Sequence, residues 1–491
     1  MSHIFTALRL QAETRPLAIA LQDSHTSLNY QQLLERTRQL ALQLQQRAPR
    51  VIAILADNGI DWVVADLAAL LAGIPIIPIP SYFTASQVQH VLTQAGVDLL
   101  LSQQALSDAM RLTNSRLAQA LPHVDLYCYE LAVSPIIESL PVGTAKITFT
   151  SGSTGQAKGV CLSLRHMEEV ALSLRQATGA SQEDRHLCVT PLATLLENIA
   201  GIYLPLMAGA TCMVPTLAEV GLSGSSGLDI NRQLACLTHL QASSAILVPQ
   251  MLSAQIAAIQ AGCPRPPALR YLAVGGGRVA PTLLTQARAL GLPVYEGYGL
   301  SECASVVSLN TPDHDLPGST GRPLPHTTVS IADDGEILVS GSHFLGYLGE
   351  APSAKAHVLP SGDLGHIDPQ GFLHISGRKK NLYISSFGRN ISPEWIESEF
   401  LAQPGVLQIA VFGDGWPCNT AIVLPHPSMT AKAVEQVMAA ANANLPDYAR
   451  VRYWIRAPSP FSVANGQLTA NGRVRRQAIH EAYSNDLKAL F

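Results

Sequence analysis

Ile147-Thr148-Phe149-Thr150-Ser151-Gly152-Ser153-Thr154-Gly155-Gln156-Ala157-Lys158-Gly159-Val160 is the stretch whose reading decides the fold. Ile147–Phe149 reads as the end of a buried strand. The ten positions that follow hold four hydroxyl residues, three glycines and one lysine. Glycines permit the tight dihedrals and close approach by which a loop turns several backbone N–H groups toward one anion. The Ser and Thr hydroxyls add donors, and Lys158 adds a mobile point charge suited to phosphate oxygens. Gly152, Gly155 and Lys158 do not have the spacing of G-x-x-x-x-G-K-[ST], so this is not a P-loop. The alternative is a polar Gly/Ser linker. A linker would not follow a strand so abruptly or lead into a second apolar run, so a loop for nucleotide phosphates is the better reading.

Composition sets the bounds around that loop. The chain has 491 residues, about three domains at roughly 150 residues each. It is 47% hydrophobic and 14% charged, a well-packed globular balance. The net charge of −4 gives no footprint for nucleic acid or an acidic membrane. Cysteines 128, 161, 188, 212, 236, 263, 303 and 418 show no C-x-x-C pair. Reduced thiols and a cytoplasmic location are expected, rather than disulfides or zinc. Met-Ser-His-Ile-Phe lacks the basic and apolar regions of a signal peptide. Trp62 to Ile79, the most apolar window, contains Asp66, Pro75 and Pro78, so no transmembrane segment is expected.

Upstream of the loop, helix and strand patterns alternate. Leu33, Leu34, Thr37, Leu40, Ala41 and Leu44 recur at helical spacing. Val51–Ala56 reads as a strand buried on both faces, Asp61–Ala72 as a helix capped by Gly73, and Ile74–Ile79 as a strand confined by its prolines to an edge or an end. Thr84 is an N-cap for Ala85–Ala95, Gly96 stops that helix, and Val97–Ser102 is a strand. Residues 111–143 are weakly patterned. Such alternation implies a mainly parallel sheet covered on both faces. Downstream, Met167–Ala177 reads as a helix and Leu187–Thr190 as a strand. A long apolar helix opens around Pro191–Asn198 and closes at Gly209. Ala245–Val248 and Tyr271–Val274 are buried strands, and the second runs into Gly275-Gly276-Gly277. There a ligand can come close, or the triplet is a flexible turn.

Two further blocks carry chemistry. In Val294-Tyr295-Glu296-Gly297-Tyr298-Gly299-Leu300-Ser301-Glu302, Tyr298 can stack on a base and Ser301 can donate to phosphate. Glu302 can hold Mg²⁺, which prefers hard oxygen ligands. A common Tyr-Gly turn beside a solvated glutamate is the bland alternative. The third block joins Ser361-Gly362-Asp363-Leu364-Gly365 to Ser376-Gly377-Arg378-Lys379-Lys380-Asn381 and Gly388-Arg389-Asn390. Asp363 is an acceptor of the kind that binds ribose hydroxyls, and Arg378 is a fixed donor fork. Hairpin turns at Gly362 and Gly371 with ordinary surface charge would leave the same residues.

The order and spacing of Thr-Ser-Gly-Ser-Thr-Gly-x-x-Lys-Gly, Tyr-Gly-x-Ser-Glu, Ser-Gly-Asp-Leu-Gly and Gly-Arg-Lys-Lys resemble the adenylate-forming superfamily over essentially the whole chain. That superfamily holds acyl-CoA synthetases, luciferases and the adenylation domains of peptide synthetases. The resemblance, closest in motif style to fatty acyl-CoA synthetases, implies an AMP-forming acid–thiol ligase. Mg·ATP and a carboxylic acid give acyl-AMP and pyrophosphate, and the acyl group passes to the thiol of CoA or of a carrier protein's phosphopantetheine. It implies that Thr150, Ser151, Gly152, Ser153, Thr154, Gly155 and Lys158 form the loop over the β- and γ-phosphates. Tyr298, beside Gly299, packs on adenine. Ser301 contacts the α-phosphate and Glu302 binds Mg²⁺. Asp363 holds the ribose, with Arg378 assisting on ribose and phosphate. Lys380 is the hinge, and Gly388 lines the pantetheine tunnel. The implied fold is α/β: a large N-terminal domain (1–379) of two sheet-and-helix subdomains with a small β region around 310–375, hinged to a small C-terminal α/β cap (380–491). Asp333-Asp334-Gly335-Glu336 reads as a hairpin turn in that β region. Strands are expected near Gln408–Phe412, Ala421–Leu424 and Val451–Ile455, with a helix at Ala431–Ala441.

Two departures stand out. Ala157 replaces the proline usual before the loop lysine, which removes no functional group. In Gly466-Gln467-Leu468-Thr469-Ala470-Asn471-Gly472-Arg473, the adenylation lysine of the superfamily is replaced by Arg473, which keeps the charge on a bulkier, planar group. Arg473 does the lysine's work, or adenylation is slow, or a neighbouring cation substitutes. The first is favoured, because the Thr-x-Asn-Gly approach is retained. The expected pocket wall is Leu195, Leu196, Glu197, Ile246, Val248, Gly275, Gly276, Gly277 and Cys303. It is apolar with small residues and lacks the aspartate with which amino-acid-activating relatives grip an α-amino group. A medium- or long-chain fatty acid is therefore the first choice and an aryl acid the second. Glu197 either caps the Asn198 helix or faces the adenylate. No carrier-protein motif follows Arg476, so the thiol is expected from outside. A non-catalytic acyl-adenylate binding protein and an intramolecular β-lactone synthetase are the rival readings.

Overall fold

The computed structural model describes residues 2–105, 115–118, 121, 123–132, 140–150, 158–224, 227–350, 358–384, 389–414, 416–469 and 472–490, with Thr150 described by its backbone. Two large sheets dominate. One runs, by hydrogen-bonded neighbours, Arg322–Pro323, Ser308–Leu309, Val294–Tyr298, Tyr271–Val274, Ser244–Leu247, Arg185–Leu187, Thr211–Met213, Ile19–Gln22 and Ser27–Asn29. Its six middle strands are parallel. The other runs Gly346–Tyr347, Lys158–Ser163, Thr144–Thr150, Ile76–Pro78, Ile52–Leu55, Leu99–Ser102, Tyr127–Leu131 and Ser115–Leu117. Helices between the sheets share one apolar core, in which Tyr30, Leu33, Trp62, Leu67, Val170 and Ile202 are buried.

Local signals decide where these elements stop. The helix Ala85–Ala95 starts with a complete capping box between Thr84 and Gln87 and ends at Gly96. Tyr30–Arg47 starts with another, between Asn29 and Gln32. Ile60–Ala72 ends at Gly73, as its sequence predicts. The hairpin at Asp333–Glu336 joins Thr327–Ile331 to Glu336–Gly341 in a four-stranded sheet completed by Val358–Ile367 and Leu373–Arg378. In the cap, strands Val406–Phe412, Asn419–Pro425 and Val451–Arg456 carry the helices Pro393–Leu401 and Ala431–Ala443.

Several expectations are corrected. Of the two alternatives for the proline-bearing strand, the edge is excluded, since Ile76–Pro78 lies between Ile52–Leu55 and Thr144–Thr150, and the strand does end at Pro78. Its prolines are tolerated because the strand is three residues long and meets Thr144–Thr150 through the single pair Ile76–Lys146. The strand placed at Leu187–Thr190 is Arg185–Leu187. The helix expected from Pro191 begins later and is not α-helical throughout: Glu197–Tyr203 is a π-helix, followed by the α-helix Leu204–Ala208 and Gly209. Such widened turns are rare and concentrate at functional sites. Gly362 lies within a strand rather than at a turn.

One polar cluster pins the core. Lys146 is fully buried, and its Nζ lies 2.6 Å from Asp66 Oδ1 and 2.7 Å from the Tyr203 hydroxyl, with Asn198 Oδ1 also bonded. The Tyr203 hydroxyl and Asn198 amide donate to the other Asp66 oxygen at 2.6 and 3.2 Å. The cluster joins the strand Thr144–Thr150 to the helix Ile60–Ala72 and the π-helix.

Candidate active site

The lobes meet at a cavity of about 2620 Å³, lined from the large domain by Lys158, Gly275, Tyr298, Ser301, Glu302, Asp363 and Arg378, and from the cap by Arg473. Asp363 and Arg378 are cross-strand partners on Val358–Ile367 and Leu373–Arg378, which places a guanidinium beside a carboxylate by register alone. Arg378 Nε donates to Asp363 Oδ1 at 2.7 Å, and the Tyr298 hydroxyl donates to Oδ2 at 2.7 Å. Burial raises the Asp363 pKa above the ordinary carboxylate range, with Arg378, the Tyr298 hydrogen bond and Arg473 opposing the shift. Burial and the Asp363 charge push the Tyr298 hydroxyl up as well. Residues from three elements thus form one fixed acceptor site.

Ser301 and Glu302 lie on a single 3-10 turn, Ser301–Cys303. The backbone behind it is strained: Ala304 and Ser305 have φ of 48° and 98°. Left-handed non-glycine residues cost about 1–3 kcal/mol each and persist where the surroundings dictate them. Gly299 makes this turn possible, since a Cβ there would lie 1.6 Å from the Ser305 carbonyl oxygen. Gly299→Ala is expected to cost about 3 kcal/mol, as overpacking against rigid backbone does. Urea denaturation checks the value, and a change below 1 kcal/mol would mean that the turn can relax.

Tyr347 had no signal in the sequence. Its hydroxyl donates to Glu302 Oε1 at 2.8 Å, and its ring lies 4.9 Å from Lys158 Nζ, which also pairs with Glu350 at 3.0 Å. Thr150 and Lys158 are cross-strand partners at one end of the antiparallel pair Thr144–Thr150 and Lys158–Ser163. Ser151, Gly152, Ser153, Thr154, Gly155 and Gly388 lie outside the described residues.

Arg473 is delivered by a tight hairpin. The Thr469 N–H donates to the Arg473 carbonyl at 2.7 Å, the Arg473 N–H donates to Thr469 Oγ1 at 3.1 Å, and Gly472 takes a left-handed φ of 73°. Thr469 and Gly472 thus shape the approach read in the sequence. Arg473 faces Asp363, Glu302, Tyr298 and Arg378 across the cavity, and burial and the Arg378 charge lower its pKa. Its surface stays solvent-accessible because the cavity is open, and the guanidinium remains charged. Arg476 is committed elsewhere: it grips Glu397 and donates to the Val411 carbonyl at 2.9 Å within the cap. Lys380, expected as the hinge, lines the cavity, and burial, Arg378 and Arg473 lower its pKa. Its neighbour Lys379 ties to Glu336 at 2.8 Å and to Asp334.

Of the expected pocket wall, Leu195, Leu196, Ile246, Val248 and Gly275–Gly277 line the cavity, whereas Glu197 and Cys303 lie behind it, both fully buried. Cys303 packs with Val307, Ile337 and Leu373 under Tyr298. Glu197 neither caps the Asn198 helix nor faces the cavity. It accepts from the Thr190 N–H at 3.0 Å and from the Thr190 hydroxyl, and it meets His186 Nε2 at 3.0 Å. Small or widely spaced residues in the middle of the covered sheet leave a tunnel. Ala273 is half-buried although its strand has neighbours on both sides, and Leu196 and Ala200, one turn apart on the facing helix, are half-buried too.

The layout is that of a large and a small domain with a cavity between them. A family model described as AMP-binding enzyme matches residues 8–348, and one described as AMP-binding enzyme C-terminal domain matches 381–491. The chain belongs to the AMP-binding enzyme family, within the adenylate-forming superfamily. It is 25% identical to the long-chain-fatty-acid–CoA ligase FadD15 of Mycobacterium bovis, over 91% of this chain and 88% of that one. It is 27% identical to the 2-succinylbenzoate–CoA ligase of Bacillus licheniformis, over 83% and 86%. The anthranilate CoA ligase AuaEII, solved with anthranoyl-AMP, shares the fold with a TM-score of 0.82 at 16% identity, covering 98% of this chain and 97% of that one. All eight cysteines are free, and among the described residues no helix is long and apolar enough to cross a membrane.

Proposed function

We propose that this AMP-forming acid–thiol ligase joins a medium- or long-chain fatty acid to the AMP portion of ATP and hands the acyl group to the thiol of CoA or of a carrier protein. The observation that supports this choice of acid is the tunnel along Ala273, Ile246, Leu196 and Ala200, whose apolar wall runs from Gly275 into the sheet. It suits an alkyl chain threaded between sheet and helix. Named CoA ligases among the relatives act on both fatty and aromatic acids, so an aryl acid is the alternative that the assay below includes.

In this mechanism a carboxylate oxygen of the acid attacks the α-phosphorus of ATP, and pyrophosphate leaves. A thiolate then attacks the acyl carbon, and AMP leaves. Neither step needs a strong protein acid or base; both need donors and positive charge fixed where negative charge develops. Asp363, held by Arg378 and Tyr298, accepts from the ribose hydroxyls, while Tyr298 and Gly299 flank the base. Ser301 donates to the α-phosphate. Lys158, with the Thr150–Gly155 loop, neutralises the leaving pyrophosphate. Arg473 bridges the attacking carboxylate and the α-phosphate from the cap side. The residues fit Mg²⁺ in one respect: Glu302 offers a hard oxygen ligand whose carboxylate plane Tyr347 fixes. When bound, the ion neutralises phosphate charge. Lys380 lies where the cap joins the large domain and is assigned the hinge role, and Gly388 is assigned to the thiol-arm tunnel from its sequence motif alone.

Pyrophosphate release, measured with fatty, aryl and amino acids with and without CoA, tests the reading. Release that depends on a fatty acid, with thioester formed when CoA or a carrier is added, is expected. No acid-dependent release would make this a binding protein, and release without any thiol requirement from a 3-hydroxy acid, giving a β-lactone, would redefine the product. In the same assay, Glu302→Gln is expected to raise the Mg²⁺ concentration needed for half-maximal rate by about tenfold or more, as loss of a charged ligand does. An unchanged Mg²⁺ profile would remove Glu302 from the metal site.

A further inference from the structure

The far end of the tunnel is polar in a way that a plain alkyl chain does not require. Ser244 and Tyr271 are register partners, as are Ile246 and Ala273, so Ser244 shares the helix-covered face of the sheet with the apolar tunnel wall. Ser244 and His186 both line the cavity, as does the Arg270–Asp184 ion pair beyond them. His186 Nδ1 lies 3.0 Å from Ser244 Oγ, and His186 Nε2 lies 3.0 Å from Glu197 Oε1. The other Glu197 oxygen takes the N–H and the hydroxyl of Thr190.

With the imidazole neutral, one ring nitrogen donates and the other accepts, and its two partners choose which. The fully buried Glu197 is surrounded by donors, so the imidazole nitrogen that faces it carries the proton. Nδ1 is then the acceptor, and the Ser244 hydroxyl spends its one proton on it. What Ser244 presents to the tunnel is an oxygen lone pair. Its natural complement is a hydrogen-bond donor on the ligand.

We propose that the acid activated here carries a hydroxyl far along its chain, and that Ser244, oriented by His186, Glu197 and Thr190, accepts a hydrogen bond from it. The proposal rests on the acid-activation reading above. Four residues of strand separate Ser244's partner Tyr271 from Gly275 at the cavity, which is roughly 13 Å at about 3.3 Å per residue. An extended alkyl chain advances roughly 1.3 Å per bond, so the hydroxyl falls about ten bonds from the carboxyl carbon. The near part of such a chain meets Leu196, Ala200, Ile246 and Ala273, and the hydroxyl meets Ser244.

The test compares kcat/KM for pyrophosphate release with ω-hydroxy acids of about eight to fourteen carbons against alkanoic acids one carbon longer, which match them in length. Near ten carbons the hydroxy acid is expected to exceed its alkanoic match by about fivefold to tenfold, the effect of one well-placed neutral hydrogen bond. Ser244→Ala is expected to bring that ratio to one or below, and Ser244→Thr to keep it above one. A preference for the alkanoic acid at every length, or a ratio that Ser244→Ala leaves unchanged, would overturn the proposal while leaving acid activation standing. No acid-dependent pyrophosphate with any member of either series, while an aryl acid does release it, would overturn the fatty-acid reading on which this proposal rests, and none with any acid would overturn acid activation.

Discussion

Arg473→Ala is expected to lower acid-dependent pyrophosphate release by about a hundredfold, the scale of losing one preorganised donor aimed at developing negative charge. The KM for ATP should move far less, because Asp363, Arg378 and Tyr298 hold one another in place without Arg473. Arg473→Lys should recover most of the rate, since a lysine at this hairpin carries the same charge on a more adaptable stem. Arg476→Ala gives the contrast. That side chain is bound to Glu397 inside the cap, so its loss should lower stability before it touches chemistry. Stopped-flow pyrophosphate release separates these outcomes. Equal losses in both variants would mean that Arg473 has no special position.

Lys146→Ala should have the largest effect on stability, about 3–5 kcal/mol, because it removes the cation that pairs with the buried Asp66 carboxyl. Tyr203 and Asn198 would still donate to Asp66, but no cation would remain. Replacing Lys146 by Met and Asp66 by Leu together should recover a good part of the loss, since the partner is then no longer stranded. Urea denaturation of the single and double variants measures both. A single-variant cost near 1 kcal/mol would mean that water reaches Asp66 when the lysine is removed.

Much of this was legible in the chain, for physical reasons. Caps are local, so Thr84, Gly73 and Gly96 announced their helix ends without help from distant residues. The strand Tyr271–Val274 was readable as a short apolar run because both its faces are covered. Asp363 and Arg378 were singled out by residue type, but only the strand register shows that they face each other. The misses share a cause. Ile76–Pro78 read as an edge or an end because the prolines were visible, while the single pair it makes with Thr144–Thr150 was not. The π-helical turn at Glu197 shifts side chains off the expected α-helical face, which is why Glu197 points back to His186 and not into the cavity. Tyr347 comes from a two-residue strand almost two hundred positions beyond Lys158, and no spacing rule links it to Glu302. Lys146 sits in an apolar strand where a charge looks anomalous until its three partners from two other elements are in place.

The central claim is that a carboxylate attacks the α-phosphorus of ATP in the cavity between the lobes, and oxygen tracing tests it most directly. The enzyme is incubated with Mg·ATP, CoA and a fatty acid whose carboxylate carries ¹⁸O, and the nucleotide product is analysed by mass spectrometry. The account predicts AMP bearing one ¹⁸O from the acid, with unlabelled pyrophosphate. Unlabelled AMP, or ADP with ¹⁸O in inorganic phosphate, would contradict it.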